Sequence, residues 1–183
     1  MFPQLDALAM AVNDSPAKCG GVQLVTIEGP AGSGKTTLAD ALSRVMQNVQ
    51  VVHMDELYDG WDDALVPHLW TRIEQALLLP LSQGHSAHVA TYNWTTQTFD
   101  TEIMITPSDV VILEGVGSGH PLVKAFASYN IWISGPEELL LDRVLQRDGE
   151  HLREHMLAWQ IAEREYFENF QIEANADIHL TGN

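Results

Sequence analysis

A chain of 183 residues with 45% hydrophobic content and 13 glycines spread along it can bury one sizeable core, and it contains no low-complexity run. Its 25 acidic against 9 basic residues give a formal net charge of -16, which repels a nucleic-acid backbone and leaves no basic stripe to hold one. One cysteine cannot close an internal disulfide, the first residues lack the pattern of a secretory signal, and no apolar run approaches the roughly 20 residues of a membrane span; a cytoplasmic protein with neither nucleic acid nor membrane as partner is expected.

In chain order, Phe2, Leu5, Leu8, Ala9 and Val12 keep helical spacing and predict a docked amphipathic helix. Gly21 to Glu28 is an apolar, β-branched run that predicts a strand, and Lys35 to Gln47 predicts a helix through Leu38, Ala41, Leu42 and Val45. Val49 to Met54 predicts a second strand. Val66 to Leu79 carries apolar residues at helical intervals up to Pro80, which should stop the helix. Val89 to Trp94 and Thr98 to Ile105, separated by Thr95-Thr96-Gln97, predict a hairpin outside the main sheet. Asp109 to Gly115 is a continuous apolar strand of the kind covered on both faces, and Tyr129 to Ser134 repeats the pattern. Pro136 opens a helix through about Arg147, Asp148-Gly149 interrupts it, Glu150 to Phe170 resumes it, and Ala176 to Leu180 supplies a last strand. The alternation predicts one three-layer α/β/α domain over 1–183, with a mainly parallel five-stranded sheet and right-handed crossovers.

Gly29-Pro30-Ala31-Gly32-Ser33-Gly34-Lys35-Thr36 fits the P-loop pattern G-x-x-x-x-G-K-[ST] at every position, between a predicted strand and a predicted helix. Each residue type there has a task. The glycines let backbone N–H groups turn towards phosphate oxygens, Lys35 bridges the outer phosphates, and the Thr36 hydroxyl ligates Mg²⁺. ATP and Mg²⁺ are therefore the expected cofactors, with Gly29, Ala31, Gly32, Ser33, Gly34, Lys35, Thr36 and Thr37 around the nucleotide. Glu114 ends an apolar strand where a second acid can reach the metal through water. With cations so scarce, Lys35, Arg143, Arg147 and Arg153 stand out as the ones placed where phosphate needs them.

From Val22 to about Leu180 the chain resembles the uridine kinase and phosphoribulokinase group of P-loop kinases, and in particular its small uridine kinase-like members. Beyond the widely shared P-loop, Val52-His53-Met54-Asp55-Glu56-Leu57-Tyr58 looks like that group's strand followed by D-x-x-Y. Tyr92-Asn93-Trp94 is similar to its Y-D-F segment, Leu113-Glu114-Gly115 to its E-G strand end, and Arg147-Asp148 to its lid arginine. The resemblance implies ATP-dependent phosphoryl transfer to a hydroxyl of a small molecule, a nucleoside or a sugar-like alcohol. It implies Asp55 as the acid that activates the acceptor hydroxyl, Tyr58, Tyr92, Asn93 and Trp94 on the acceptor side, and Arg147 with Arg143 in a helical lid over about residues 143–160. Asn93 departs from the pattern, since nucleoside kinases carry an aspartate there that grips the sugar hydroxyls, and Thr95 to Thr98 lack the basic residues expected next. The rival readings are a nucleotide-dependent regulatory ATPase and a kinase for another sugar or acid on the same fold; a homo-oligomer is compatible with any of them.

Other patterns read as structure. His151-Leu152-Arg153-Glu154-His155 fits the zinc-protease pattern H-x-x-E-H, but 8 histidines in an acidic chain make such a match easy, and the segment falls where the lid helix belongs. Trp132 belongs to the core, Trp94 stands between packing and ligand contact, and Cys19 has no histidine and acid beside it to activate it.

Overall fold

The computed structural model describes residues 4–61 and 64–182; Phe2, expected on the first helix, lies outside the described residues. The chain runs through helix α1 (Leu5–Asn13), strand β1 (Gln23–Glu28), helix α2 (Lys35–Val45), strand β2 (Val49–His53), helix α3 (Pro67–Ile73) and a short helix α4 (Leu79–Ser82). It continues through strands β3 (Ala87–Asn93), β4 (Thr98–Ile105) and β5 (Val110–Glu114), a short helix α5 (Pro121–Lys124) and strand β6 (Ala127–Ser134). Helices α6 (Glu137–Asp148) and α7 (Arg153–Asn169) and strand β7 (Ile178–Thr181) complete it.

Five of these strands form one sheet in the order β2-β5-β1-β6-β7, with every neighbouring pair parallel. Side chains alternate across a strand, so each run feeds two layers. Val25, Ile27, Ile112 and Ile133 pack against Val12 of α1 and Leu38 and Leu42 of α2. Leu24, Val111, Leu113 and Trp132 pack on the other face with Trp70 of α3 and Trp159 and Tyr166 of α7. The continuous apolar runs thus reflect strands covered on both faces, and Trp132 lies in the core as read from the sequence. The hairpin of β3 and β4 stands outside this sheet, as its flanking turn residues predict.

One element departs from expectation. Pro80 does not stop the helix that leads to it: Glu74–Leu78 opens into a wider π-type turn, and the chain stays helical to Ser82. Pro80 occupies the second position of the segment that follows, and its missing N–H falls in a first turn, where it costs little. Strand β6 also begins earlier than the apolar run suggests, at Ala127.

Candidate active site

Parallel pairing sends the carboxyl ends of all five strands to one edge, and the candidate residues lie along it. β1 ends at Glu28 and the loop turns at once. Gly29 has φ 146° and Gly32 φ 82°, and a Cβ would lie 2.0 Å from the Ile133 carbonyl oxygen at the first and 2.4 Å from that of Leu140 at the second. Only glycine can seat the loop so closely against the ends of β6 and α6. Lys35 opens α2 almost wholly buried, and its ammonium donates to the carbonyls of Gly29 at 2.7 Å and Pro30 at 2.9 Å. Burial lowers its pKa, and the charges of Glu28, Glu163, Glu114 and Asp55 oppose that shift. Thr36 and Thr37 follow in the exposed first turn of the helix.

Glu114, the last residue of β5, pairs in register with Ile27 of β1 on one side and His53 of β2 on the other. Its Oε1 accepts the Thr36 hydroxyl at 3.0 Å and lies 2.6 Å from Nδ1 of His53. A carboxylate only accepts, so Nδ1 carries the proton in that pair. The hydrogen bond from Glu114 raises the His53 pKa against the effect of burial. Asp55 follows β2 in the short turn Met54–Glu56, open to solvent yet crowded by protein. That crowding and the Glu114 charge raise its pKa, while His53 and Arg147 pull it down. Thr36 and Glu114 together offer the hard oxygen donors that suit Mg²⁺.

The arginines divide. Arg143 donates from Nη1 to the Gly32 carbonyl at 3.4 Å, a long contact that touches the phosphate loop itself. Arg147 forks onto its neighbour Asp148 with two bonds of 2.7 Å, and its field reaches Asp55 and Glu114. Arg153 is not brought to the loop; it pairs with Glu150 on an exposed turn.

The surroundings of Asp55 are aromatic. The Trp94 indole donates to the backbone carbonyl of Asp55 at 2.9 Å, and its ring meets Trp61 at 5.1 Å and the edge of Tyr92 at 5.3 Å. Trp61 stacks on His155 of α7 at 5.3 Å, which gives one histidine of the H-x-x-E-H pattern a packing role. Tyr58 is buried with its ring 5.6 Å from Trp159 and its hydroxyl donated to Val116, so it backs this wall and does not present its hydroxyl to solvent. Asn93 is used by the hairpin: Oδ1 accepts from Thr95 N at 2.9 Å and Thr96 N at 3.3 Å, and Nδ2 donates to Asp100 at 2.9 Å.

Two buried carboxylates escape the sequence reading. Glu28 accepts from the backbone N–H groups of Gly29 at 3.0 Å, Gly117 at 2.8 Å and Gly119 at 2.9 Å, and from the Tyr166 hydroxyl at 3.3 Å. Burial pushes its pKa up to about 7 despite those bonds. Glu163 of α7 accepts from Ala31 N in the phosphate loop at 3.0 Å, and burial raises its pKa too. An acid directly before the first loop glycine was the available signal for Glu28; nothing in the sequence spacing marks Glu163.

A family profile described as "AAA domain" matches residues 25–175. Uridine kinase-like protein 4 of Arabidopsis thaliana is 26% identical over 144 residues, which take in 68% of this chain and 30% of that protein's length. The uridine kinase of Borrelia duttonii (strain Ly) is 24% identical over 139 residues, 69% of this chain and 68% of that enzyme. A solved structure described as a possible uridine kinase from Bacillus stearothermophilus aligns with a TM-score of 0.71 at 20% identity, covering 97% of each chain. These matches bear out the resemblance to uridine kinase-like P-loop kinases and the three-layer fold, and nucleotide binding follows from that fold.

Proposed function

The chain belongs to the AAA domain family, and from that premise we propose that it is an ATP-dependent kinase that phosphorylates a hydroxyl of a small molecule, a nucleoside or a sugar-like alcohol. One observation carries this reading. A loop hydroxyl bonded to a strand-end carboxylate, Thr36 to Glu114, shares its sheet edge with a second, solvent-open carboxylate, Asp55, which a site that only holds nucleotide does not need.

On this reading the loop N–H groups and the amino end of α2 hold the phosphates, and Lys35 leaves the Gly29 and Pro30 carbonyls to bridge the outer ones. Thr36, with Glu114 behind it, would hold Mg²⁺, which would supply charge neutralisation on the phosphates. Asp55 accepts the proton of the acceptor hydroxyl as its oxygen bonds to phosphorus and the bond from phosphorus to the leaving ADP oxygen breaks. A pKa raised by the surrounding protein and the Glu114 charge suits the task, because a stronger base takes the proton more readily. Arg147, released from Asp148, and Arg143 on the lid segment add positive charge over the transferring group. The faces of Trp61 and Trp94 beside Asp55 match a nucleobase or the C–H face of a sugar. The amide of Asn93 is committed to its turn, so it does not take the place of the sugar-gripping aspartate.

Purified protein with Mg²⁺ and ATP, offered nucleosides, sugars and sugar acids one at a time, tests this. ADP release that rises above the no-acceptor control with a nucleoside or neutral sugar is the expected result. Release that ignores every acceptor supports the regulatory ATPase, and release with a sugar acid alone supports the third reading.

A further inference from the structure

His53 stands next to the carboxylate that holds the Thr36 hydroxyl and has no assigned role. It occupies the last position of β2, in direct register with Glu114 on β5, so the two side chains emerge side by side on one face of the sheet. Its Nδ1 lies 2.6 Å from Oε1 of Glu114, the same oxygen that accepts the Thr36 hydroxyl at 3.0 Å. The His53 side chain is 32% exposed, so it is not a core residue.

We propose that His53 is a positioning residue for the cation site: its Nδ1–H fixes the Glu114 carboxylate, which in turn fixes the direction of the Thr36 hydroxyl. A hydroxyl has one hydrogen and two lone pairs. Spending the hydrogen on Glu114 leaves the Thr36 lone pairs facing away from the carboxylate, towards the mouth of the loop where a divalent cation accompanies nucleotide. Without His53 the carboxylate can rotate about its terminal torsion and the hydroxyl loses its fixed acceptor. Residues that orient a metal-ligating group in this manner are typically worth about 10–100-fold in metal affinity. The inference rests on the nucleotide-site reading and is independent of which alcohol is the acceptor.

Mn²⁺ is the probe, its free concentration followed by electron paramagnetic resonance in the presence of saturating ADP. ADP binding in excess EDTA is measured in parallel by calorimetry. His53→Ala should weaken Mn²⁺ binding to the ADP complex by about 10-fold or more while leaving metal-free ADP affinity and Tm close to wild type. His53→Asn, whose amide N–H can replace Nδ1–H, should restore most of the loss. Wild-type Mn²⁺ affinity in His53→Ala overturns the proposal, as does an equal loss of metal-free ADP binding, or a His53→Asn variant as weak as His53→Ala. Failure of the wild-type protein to bind ADP at all overturns the nucleotide site, and this inference with it.

Discussion

The phosphate loop and the aromatic wall both meet helix α7 and are held in different ways. The loop is one contiguous segment, seated by glycines that tolerate no Cβ and tied down by backbone bonds to the buried acids Glu28 and Glu163. The wall is assembled from side chains of separate segments: Trp61 after β2, Tyr92 and Trp94 from the hairpin, and His155 and Trp159 from α7. Its members touch mainly through ring faces and edges, with few directional bonds. Polar tethering gives a fixed geometry for one kind of group, here phosphate; ring packing gives a surface whose shape can change with any one of its members. The helix α7 belongs to both, since Glu163 reaches the loop and His155 the wall.

The sharpest way to break this division is on the loop side. Lys35→Ala removes the only cation fixed inside the loop and is expected to abolish phosphoryl transfer and weaken nucleotide binding, read as ADP formation and by calorimetry. Turnover at the wild-type rate would take the phosphates elsewhere. Asp55→Asn, at the boundary of the two regions, should retain Mg-ATP binding while acceptor-dependent ADP formation falls about 10²- to 10⁴-fold, the range for a lost general base. Near-normal transfer would shift that task to Glu114.

Glu28 sharpens the loop side through pH. Its pKa rises from 4.5 to about 7 on folding, chiefly through burial, so the folded state binds the extra proton between those values. The stability it contributes is complete below about pH 4.5 and is lost as pH rises through about 7. Urea unfolding of wild type and Glu28→Gln at pH 5 and pH 8 should show wild type losing ground at the higher pH, by at most about 1.4 kcal/mol for each unit of the shift. A difference that does not change with pH would contradict a buried, protonatable acid there. The smallest effect belongs to the wall: Trp94→Phe keeps a ring and loses the bond to the Asp55 carbonyl, and should raise acceptor KM roughly 2- to 10-fold with nucleotide Kd unchanged. A change confined to nucleotide Kd would place Trp94 on the wrong side of the comparison.

The same contrast decides what could be read from the residues alone. Five strands, their order of appearance, the hairpin and the P-loop were legible because each is a local pattern of spacing, glycine and β-branching. Asp55 and Glu114 were accessible because one follows and the other ends an apolar strand, and parallel strands end at one edge. Glu163 was not, because its partner Ala31 lies 132 positions away and only the folded path of α7 brings them together. Pro80 misled because a π-type turn before it resets the helix, which residue spacing does not reveal. The two uses of asparagine, sugar contact or turn anchor, are equal in sequence; the bonds from Asn93 to Thr95, Thr96 and Asp100 separate them.

The hairpin has a further consequence. It lies in the connection between β2 and β5, and its own two ends are neighbours, with Ala87 of β3 opposite Ile105 of β4. An excursion that leaves and returns at neighbouring points can be lengthened, shortened or exchanged at a closure cost of only about 0.6 kcal/mol per doubling of its length. It sits outside the sheet, so such an exchange leaves the strand edge with Glu28 and Glu114 in place. Exchanging the hairpin alone, from Ala87 to Ile105, for that of a kinase of known acceptor therefore tests the proposed acceptor side while Asp55 and the core helices of the connection stay in place.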